Sequence, residues 1–251
     1  MGMPEDLPSS GILYTEVIKL RATTQFILIC FSVVAGLLLL AGLYEHFFCK
    51  DRLRLSSSKY ITTVAVSAAL AGLLMLLELP LVFLAPDFYK VDLSELPVLI
   101  CSFYLGPVAG ILTEFLKIMI KLVLKPSTTA FVGELANVSI GCAIVLPASM
   151  IYHRIRTKGG AVAGMIVGTL VMAIFGSLFN AVYLLPAYSE MYHWPLQAIV
   201  AKGTEINSHI TGVYSFVLLA VAPLNLIKGT VVSILTFLLY KRIRPIMFKR
   251  S

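Results

Sequence analysis

Runs of apolar residues, each about as long as the hydrocarbon core of a bilayer is thick, follow one another along most of this chain. A helix needs roughly 20 such residues to cross that core. Hydrophobic residues make up 59% of the 251 residues and charged residues only 13%, and the mean hydropathy is +0.92. A soluble domain of this size would need far more polar surface, and no segment alternates with the two-residue period of a membrane barrel strand. The sequence therefore predicts an all-α, polytopic membrane bundle.

The apolar runs predict seven helices, two of them rather short, and leave 188–213 as a loop with no core of its own. The first run is longer than the apolar region of a signal peptide and no small-x-small cleavage site follows it, so we interpret it as a retained extra helix. The predicted organisation is an amino-terminal region with this helix (1–56), a six-helix domain (57–245) and a tail (246–251). The predicted spans are 22–48, 60–85, 94–105, 106–125, 133–152, 160–187 and 214–240.

Most of the positive residues, 12 of 20, lie in three membrane-flanking segments: 49–59, 153–158 and the tail after Tyr240. Basic flanking segments are typical of the cytoplasmic side of a membrane. This placement predicts a cytoplasmic carboxyl terminus and an extracellular amino terminus. It also accounts for the net charge of +7, so we expect no binding to nucleic acid.

Motifs for catalysis or nucleotide hydrolysis are missing from the sequence. "KGT" at 228–230 is not the phosphate-binding motif G-x-x-x-x-G-K-[ST], and no H-E-x-x-H, G-x-S-x-G or paired-carboxylate pattern occurs. The four cysteines show no C-x-x-C pair, so we expect free thiols and no metal site; they are Cys30, Cys49, Cys101 and Cys142. The chain is expected to be no enzyme, to need no cofactor and to hydrolyse no ATP by itself.

Lys228 is the only formal charge between Phe216 and Tyr240, and Asn225 lies three residues earlier on the same helical face. An ammonium group near mid-membrane is costly, so it normally faces the bundle interior and has a partner. Two compatible interpretations remain open. Lys228 forms an internal ion pair with Glu114, or it presents donors to a ligand together with Asn225.

Other helices carry polar residues in the half that the charge pattern predicts to be extracellular. Glu134 and Asn137 begin the fifth span, Asn180 ends the sixth, and Lys117 and Lys121 lie in the fourth. Single asparagines are often only interhelical hydrogen bonds, but their convergence predicts a shared, outward-facing binding volume. The two lysines can meet a phosphate, or merely reach toward lipid headgroups.

Two further segments each allow two interpretations. Ala65 and Ala69 stand four residues apart in the second span, where small residues permit close approach of another helix, either inside the bundle or from a partner. The loop 84–97 mixes Phe88 and Tyr89 with acidic residues, as a lid over a site or a plain connector would.

Four segments together resemble the riboflavin-specific substrate-binding subunits (RibU) of energy-coupling factor (ECF) transporters. They are "DFYKVDLSELPVLICSFYLGPVAGILTEFLK", "GELANVSIG", "LFNAVYLLP" and "VAPLNLIKGTVVSILTFLLYKRI". The resemblance covers about residues 57–245 and implies a six-helix bundle whose ligand enters from outside the bacterial cell. The span at 22–48 is not part of that pattern.

The resemblance also implies roles for individual residues. Asn180, Asn225 and Lys228 would hydrogen-bond the polar ring edge of the flavin, and the 84–97 loop would cover the ligand. The full set of implied substrate-binding residues is Asn180, Asn225, Lys228, Glu134, Asn137, Lys117, Asp92 and Leu96.

Partners follow from the resemblance as well. Ala65 and Ala69 match an A-x-x-x-A stripe that docks a transmembrane coupling subunit (EcfT type), which in turn binds two ABC ATPases. The missing phosphate-binding loop agrees with ATP hydrolysis by separate subunits. Riboflavin would be the transported ligand, the membrane lipid would be the surroundings, and no cofactor would be bound.

Three alternatives stay open at the level of sequence. Seven spans and a late mid-membrane lysine suggest a retinal protein, although the only tryptophan, Trp194, lies in a loop. A transporter working alone on an ion gradient would need no partner subunits. A binding subunit for FMN or another vitamin would share the fold and differ in ligand.

Overall fold

The structure of the chain is a computed structural model that describes residues 9–49, 57–127, 129, 131–192 and 194–247. Residues 1–8, residues 50–56 of the basic segment and residues 248–251 of the carboxyl-terminal tail lie outside the described residues, as does the side chain of Cys30.

The described residues form a helical bundle with one small hairpin. The helices are α1 (Ser9–Phe48), α2 (Ser58–Met75), α3 (Glu95–Leu105), α4 (Pro107–Leu124), α5 (Val132–Ile155), α6 (Lys158–Phe179), α7 (Leu185–Tyr192), α8 (Leu196–Ile206), α9 (Val213–Phe216) and α10 (Ala222–Met247). Six rods form the core: α2, α3, α4, α5, the α6–α7 rod and the α9–α10 rod. This confirms the predicted fold class of a six-helix membrane bundle with one extra amino-terminal helix.

The second predicted span, 60–85, was too long. α2 ends at Met75, and Leu79–Pro80 (β1) instead pairs antiparallel with Lys90–Val91 (β2). Proline has no N–H to donate, so Pro80 disfavours continuation of the helix. The apolar character persists to Ala85 because that stretch folds back and packs against a buried cluster, a pattern that hydropathy alone does not separate from a helix.

The sixth predicted span, 160–187, is not one regular α-helix, and Asn180 lies within the rod and not at its end. The α6–α7 rod runs on through a π-helical segment, Asn180–Leu184, and the α9–α10 rod contains a second one, Val217–Val221. The two π segments contact each other. A π segment inserts an extra residue into a helical turn and often marks a functional site, because it re-aims the side chains next to it.

The stretch 188–213 was predicted as a loop without a core, and this was wrong. It contains the end of α7 and the whole of α8, with Ile199, Val200 and Ile210 buried. Gly203 of α8 lies so close to Phe216 that an added Cβ would come within 2.5 Å of its ring. α8 is therefore packed firmly on the bundle.

By length and composition, five helical segments of the described chain can cross a membrane: Phe31–Phe48, Ser58–Met75, Val132–Ile155, Lys158–Glu190 and Val213–Arg242. Seven spans were predicted. α3 has only 11 residues, which is about 16 Å at 1.5 Å per residue. α4 carries Glu114, Lys117 and Lys121, all of which are buried. Its charges therefore face the bundle interior, as intramembrane charges usually do.

We call the end of the bundle at which α2 ends and α5 begins the cavity end. The extra helix α1 is fixed to the bundle at the opposite end by its last turns. Glu45 Oε1 accepts the N–H of Val108 at 2.8 Å, in the first turn of α4, where backbone donors lack helical acceptors. Gly106, with φ +122°, leaves room for this carboxylate, and the Tyr44 hydroxyl donates to the Met150 carbonyl at 2.6 Å. α1 is thus a docked part of the fold.

α5 packs closely on α6 in the middle of the bundle and toward the end opposite the cavities. A Cβ on Gly164 or Gly168 would lie 2.5 Å from a backbone carbonyl oxygen of α5, that of Ala148 or Ile144 respectively. Only glycine allows the two backbones to approach this closely, which is typical of helix pairs in membranes.

Candidate functional site

A cavity of about 130 Å³ lies beside the two π segments at the cavity end. Apolar and polar groups line it in similar measure, and its polar side chains come from four rods and from strand β2. Its apolar lining is Ala136, Ile140, Leu184, Val221 and Leu224, its polar lining includes Asn137, Asn180, Asn225 and Lys228, and Phe88, Tyr89 and Tyr188 also line it. We call it the inner cavity. An apolar slot with a few fixed polar groups is the usual form of a small-molecule site.

Asn180 is held in place by two hydrogen bonds. Its Nδ2 donates to the Gly176 carbonyl at 2.8 Å, and its Oδ1 accepts from the Tyr89 hydroxyl at 2.7 Å. Burial raises the pKa of the Tyr89 hydroxyl well above its ordinary value, so this group is a neutral donor. Each amide atom of Asn180 keeps one further hydrogen-bonding position, which leaves a donor and an acceptor in a fixed orientation at the cavity.

Asn225 is buried, and its side-chain Nδ2 has no hydrogen-bond partner among the residues that the structure describes. Its Nδ2 lies against the backbone of Gly176, where an added Cβ would come within 2.6 Å. A buried amide without a partner is uncommon in a folded protein and calls for an explanation. Because Asn225 lines the inner cavity, its amide is available to a ligand bound there.

Lys228 is paired with Asp92 and Glu95. Its Nζ lies 3.2 Å from Asp92 Oδ2 and 2.9 Å from Glu95 Oε1. The internal partner suggested by the sequence was Glu114, and this was wrong: Glu114 pairs instead with Lys117, at 2.6 Å. Burial tends to raise the pKa of Asp92, but the charges of Lys228 and Lys117 outweigh it and hold that pKa below its usual value, so Asp92 is ionised.

Glu95 Oε1 joins Lys228 to a second buried lysine, Lys117, at 3.4 Å. Lys117 also donates to Ser94 Oγ at 3.1 Å and reaches Asn137 Oδ1 at 3.5 Å. The ammonium of Lys228 is therefore part of a buried network of three carboxylates and two ammonium groups. Such a network holds Lys228 in one position at the edge of the inner cavity.

A larger cavity of about 470 Å³ adjoins the inner one, and both are lined by Phe88, Lys90, Gly133, Asn137 and Tyr188. We call it the outer cavity. Its polar lining is mostly charged: Glu78, Asp87, Asp92, Glu134, Lys90, Lys121, Lys125 and Lys202. Trp194 and Ile199 line it too.

Glu134 and Lys121 meet at the outer cavity. Lys121 Nζ lies 2.6 Å from Glu134 Oε1, and Glu134 Oε2 accepts from the hydroxyls of Ser127 and Thr129 at 2.8 and 2.9 Å. Both side chains are buried. Lys121 is thus fixed inside the bundle, and neither it nor the fully buried Lys117 extends toward lipid headgroups.

The structure brings most of the sequence-predicted residues to the two adjoining cavities. Asn137, Asn180, Asn225 and Lys228 line the inner one, and Asn137, Glu134 and Asp92 line the outer one. Two residues of the predicted set line neither cavity. Lys117 lies in the buried charge network, and Leu96 packs against the core cluster around Leu99 and Phe103.

Sequence reasoning missed Tyr188, Trp194, Ile199 and Lys202, because they lie in the stretch interpreted as a plain loop. The spacing of Ile199, Val200 and Gly203 is a helical signal that was available. The two predicted docking residues, Ala65 and Ala69, are exposed on α2.

The family described as "ECF transporter, substrate-specific component" matches residues 59–240. Two curated relatives are each 30% identical to the chain. One is the riboflavin transporter FmnP of Bacillus subtilis (strain 168), aligned over 188 residues that cover 74% of this chain and 93% of that protein. The other is the riboflavin transporter RibU of Staphylococcus aureus (strain TCH60), aligned over 194 residues that cover 77% and 95%.

A solved structure of the S component of a bacterial ECF transporter has a similar fold. The TM-score is 0.59 with 31% sequence identity, and the match covers 76% of this chain and 98% of that one. The matched family region begins after α1, so the extra helix lies outside it.

Proposed function

The chain belongs to the family of ECF transporter substrate-specific components, and from this membership we propose that it captures riboflavin outside the bacterial cell and delivers it to the ECF module. It is a multi-pass membrane transport protein and no enzyme. Riboflavin is an uncharged tricycle with alternating acceptors and donors on one ring edge and a hydroxylated tail. The two similar curated proteins are named for riboflavin transport.

The observation that carries the proposal is the unpaired amide of Asn225 in a cavity that it shares with Asn180 and Lys228. These three side chains offer both donors and acceptors, all held by the surrounding protein before any ligand arrives. A preorganised set of this kind suits the polar edge of a flavin ring, while the apolar walls suit its two faces.

The size of the two cavities supports an orientation for the ligand. Small-molecule sites usually measure about 300–1,000 Å³, so the inner cavity of about 130 Å³ cannot enclose a whole flavin. With the polar ring edge at Asn180, Asn225 and Lys228, the hydroxylated tail would extend into the outer cavity. Asn137, Glu134 and Asp92 would then lie along the ligand, and the 84–97 loop would cover it.

We propose the 57–245 region as the substrate-binding domain, with 1–56 and 246–251 as flanking parts. The partners would be a transmembrane coupling subunit, docked on Ala65 and Ala69, and two ABC ATPases bound to it. The carboxyl terminus would be cytoplasmic and the amino terminus extracellular. The cavity end would then face outward, which supports capture from outside the cell.

Uptake into proteoliposomes tests this division of labour. The chain alone is expected to bind riboflavin without transporting it, and transport is expected only with the coupling subunit, both ATPases and ATP. Loading the vesicles with chain alone and applying proton or sodium gradients is the matched control. Gradient-driven riboflavin accumulation by the chain alone would contradict the proposal and favour an independent ion-coupled transporter.

A further inference from the structure

Five lysines line the two cavities, and four of them lie in ion pairs with carboxylates. Lys90 and Lys125 share Glu78, at 2.9 and 3.3 Å. Lys121 pairs with Glu134, and Lys228 with Asp92 and Glu95. At Lys121 and Lys228 a further anion would have to displace a buried carboxylate, which is costly. At Lys90 and Lys125 it would compete with Glu78 for two exposed lysines.

Lys202 is the exception. It lines the outer cavity, and within the described part of the chain it forms no ion pair. Its Nζ instead lies 5.0 Å from the centroid of the Trp194 ring. A cation–π contact of this kind keeps an ammonium group beside the ring without neutralising its charge. The position of Lys202 is set by α8, which the close approach of Gly203 to Phe216 fixes on the bundle.

One acidic residue of the outer cavity also lacks an ion-pair partner among the described residues. Asp87 lines the outer cavity, is exposed, and has no ion-pair partner among the residues described. Among the described residues, an anionic group entering this cavity would therefore meet one lysine without an ion pair, Lys202, and one carboxylate without an ion pair, Asp87. Their opposing effects would set how well the site tolerates negative charge on a ligand.

We propose that Lys202 is the residue with which this site accepts a phosphate at the end of a flavin tail, and that Lys202 and Asp87 together set the relative affinity for FMN and riboflavin. This inference rests on the proposed function, because it takes the ring edge to lie in the inner cavity and the tail in the outer one. Riboflavin, with an uncharged tail, would be insensitive to either side chain.

The test is a pair of titrations, of riboflavin and of FMN, into each purified variant in detergent, followed by the quenching of flavin emission. Lys202→Gln is expected to weaken FMN binding by about fivefold, the upper range for a solvent-accessible ion pair, and to change riboflavin binding by less than about twofold. Asp87→Asn is expected to strengthen FMN binding by about twofold, again without effect on riboflavin. Lys125→Gln is the matched control, since it removes a lysine of the same cavity that is already paired.

Rising ionic strength should weaken FMN binding to the unaltered chain and have less effect on the Lys202→Gln variant, because exposed charges are screened by salt. Unchanged FMN-to-riboflavin ratios in Lys202→Gln, an equal shift for both flavins, or no FMN binding to the unaltered chain would each overturn the inference while riboflavin still binds. Absence of riboflavin binding to the unaltered chain would instead overturn the proposed function itself.

Discussion

Replacing Lys228 with methionine is expected to weaken riboflavin binding by about 10- to 100-fold, since a hydrogen bond from a charged group contributes roughly 1.5–3 kcal/mol. The same change removes the ammonium that lies between Asp92 and Glu95. Breaking a buried ion pair typically costs about 3–5 kcal/mol, so the free energy of unfolding should fall as well. Both quantities need to be measured, by flavin titration and by thermal unfolding in detergent.

Lys117→Met is the matched control for this prediction. Lys117 is as deeply buried as Lys228 and belongs to the same network, yet it lines neither cavity. It should lower stability to a similar extent while the folded protein keeps most of its affinity. Asn225→Ala offers the reverse case, weaker binding with little loss of stability, because the side-chain Nδ2 of Asn225 has no hydrogen-bond partner in the described protein. Unchanged affinity in the folded Lys228→Met variant would assign Lys228 to ion pairing alone.

The second large effect is expected on assembly. The double variant Ala65→Leu/Ala69→Leu should reduce association with the coupling subunit by about tenfold or more, because small residues allow helix backbones to approach and leucine keeps them apart. Both alanines are exposed on α2, so the bundle itself has room for the larger side chains. Co-purification of the tagged chain with the coupling subunit measures the effect, and riboflavin affinity should stay within about twofold.

Gly36→Leu on α1 is the matched small-to-large control for the alanine variant. Gly36 is exposed, and nothing lies within 4 Å of an added Cβ. It should leave the complex intact. Loss of the complex in the Gly36→Leu variant, with the complex intact in the alanine variant, would show that the coupling subunit docks on the extra helix and not on α2.

The hydropathy of the sequence predicted the helical bundle, and the spacing of polar residues predicted the convergence of Asn180, Asn225 and Lys228. Both predictions succeed because lipid excludes polar side chains, which therefore face the bundle interior. Hydropathy and spacing could not identify the partners of Lys228. Asp92 and Glu95 lie 136 and 133 positions away in sequence, and nothing local distinguishes them from Glu114. Pairing between distant helices is fixed by the packed fold.

The π segments and α8 show a second limit. The sequences of Asn180–Leu184 and Val217–Val221 are typical of ordinary apolar helix, and nothing in them predicts the extra residue in each turn. α8 was overlooked because its flanking polar residues dominated the composition of 188–213. The outer wall of the site, with Trp194 and Lys202, was therefore missed even though its residues have helical spacing.

The central claim is that this chain is a riboflavin capture subunit, and titration of riboflavin into the purified protein tests it most directly. The protein is first stripped of endogenous flavin and kept in detergent without any partner subunit. We expect tight, one-to-one quenching of flavin emission. Absence of quenching in folded, flavin-free protein would contradict the claim and leave a substrate-specific component for another vitamin.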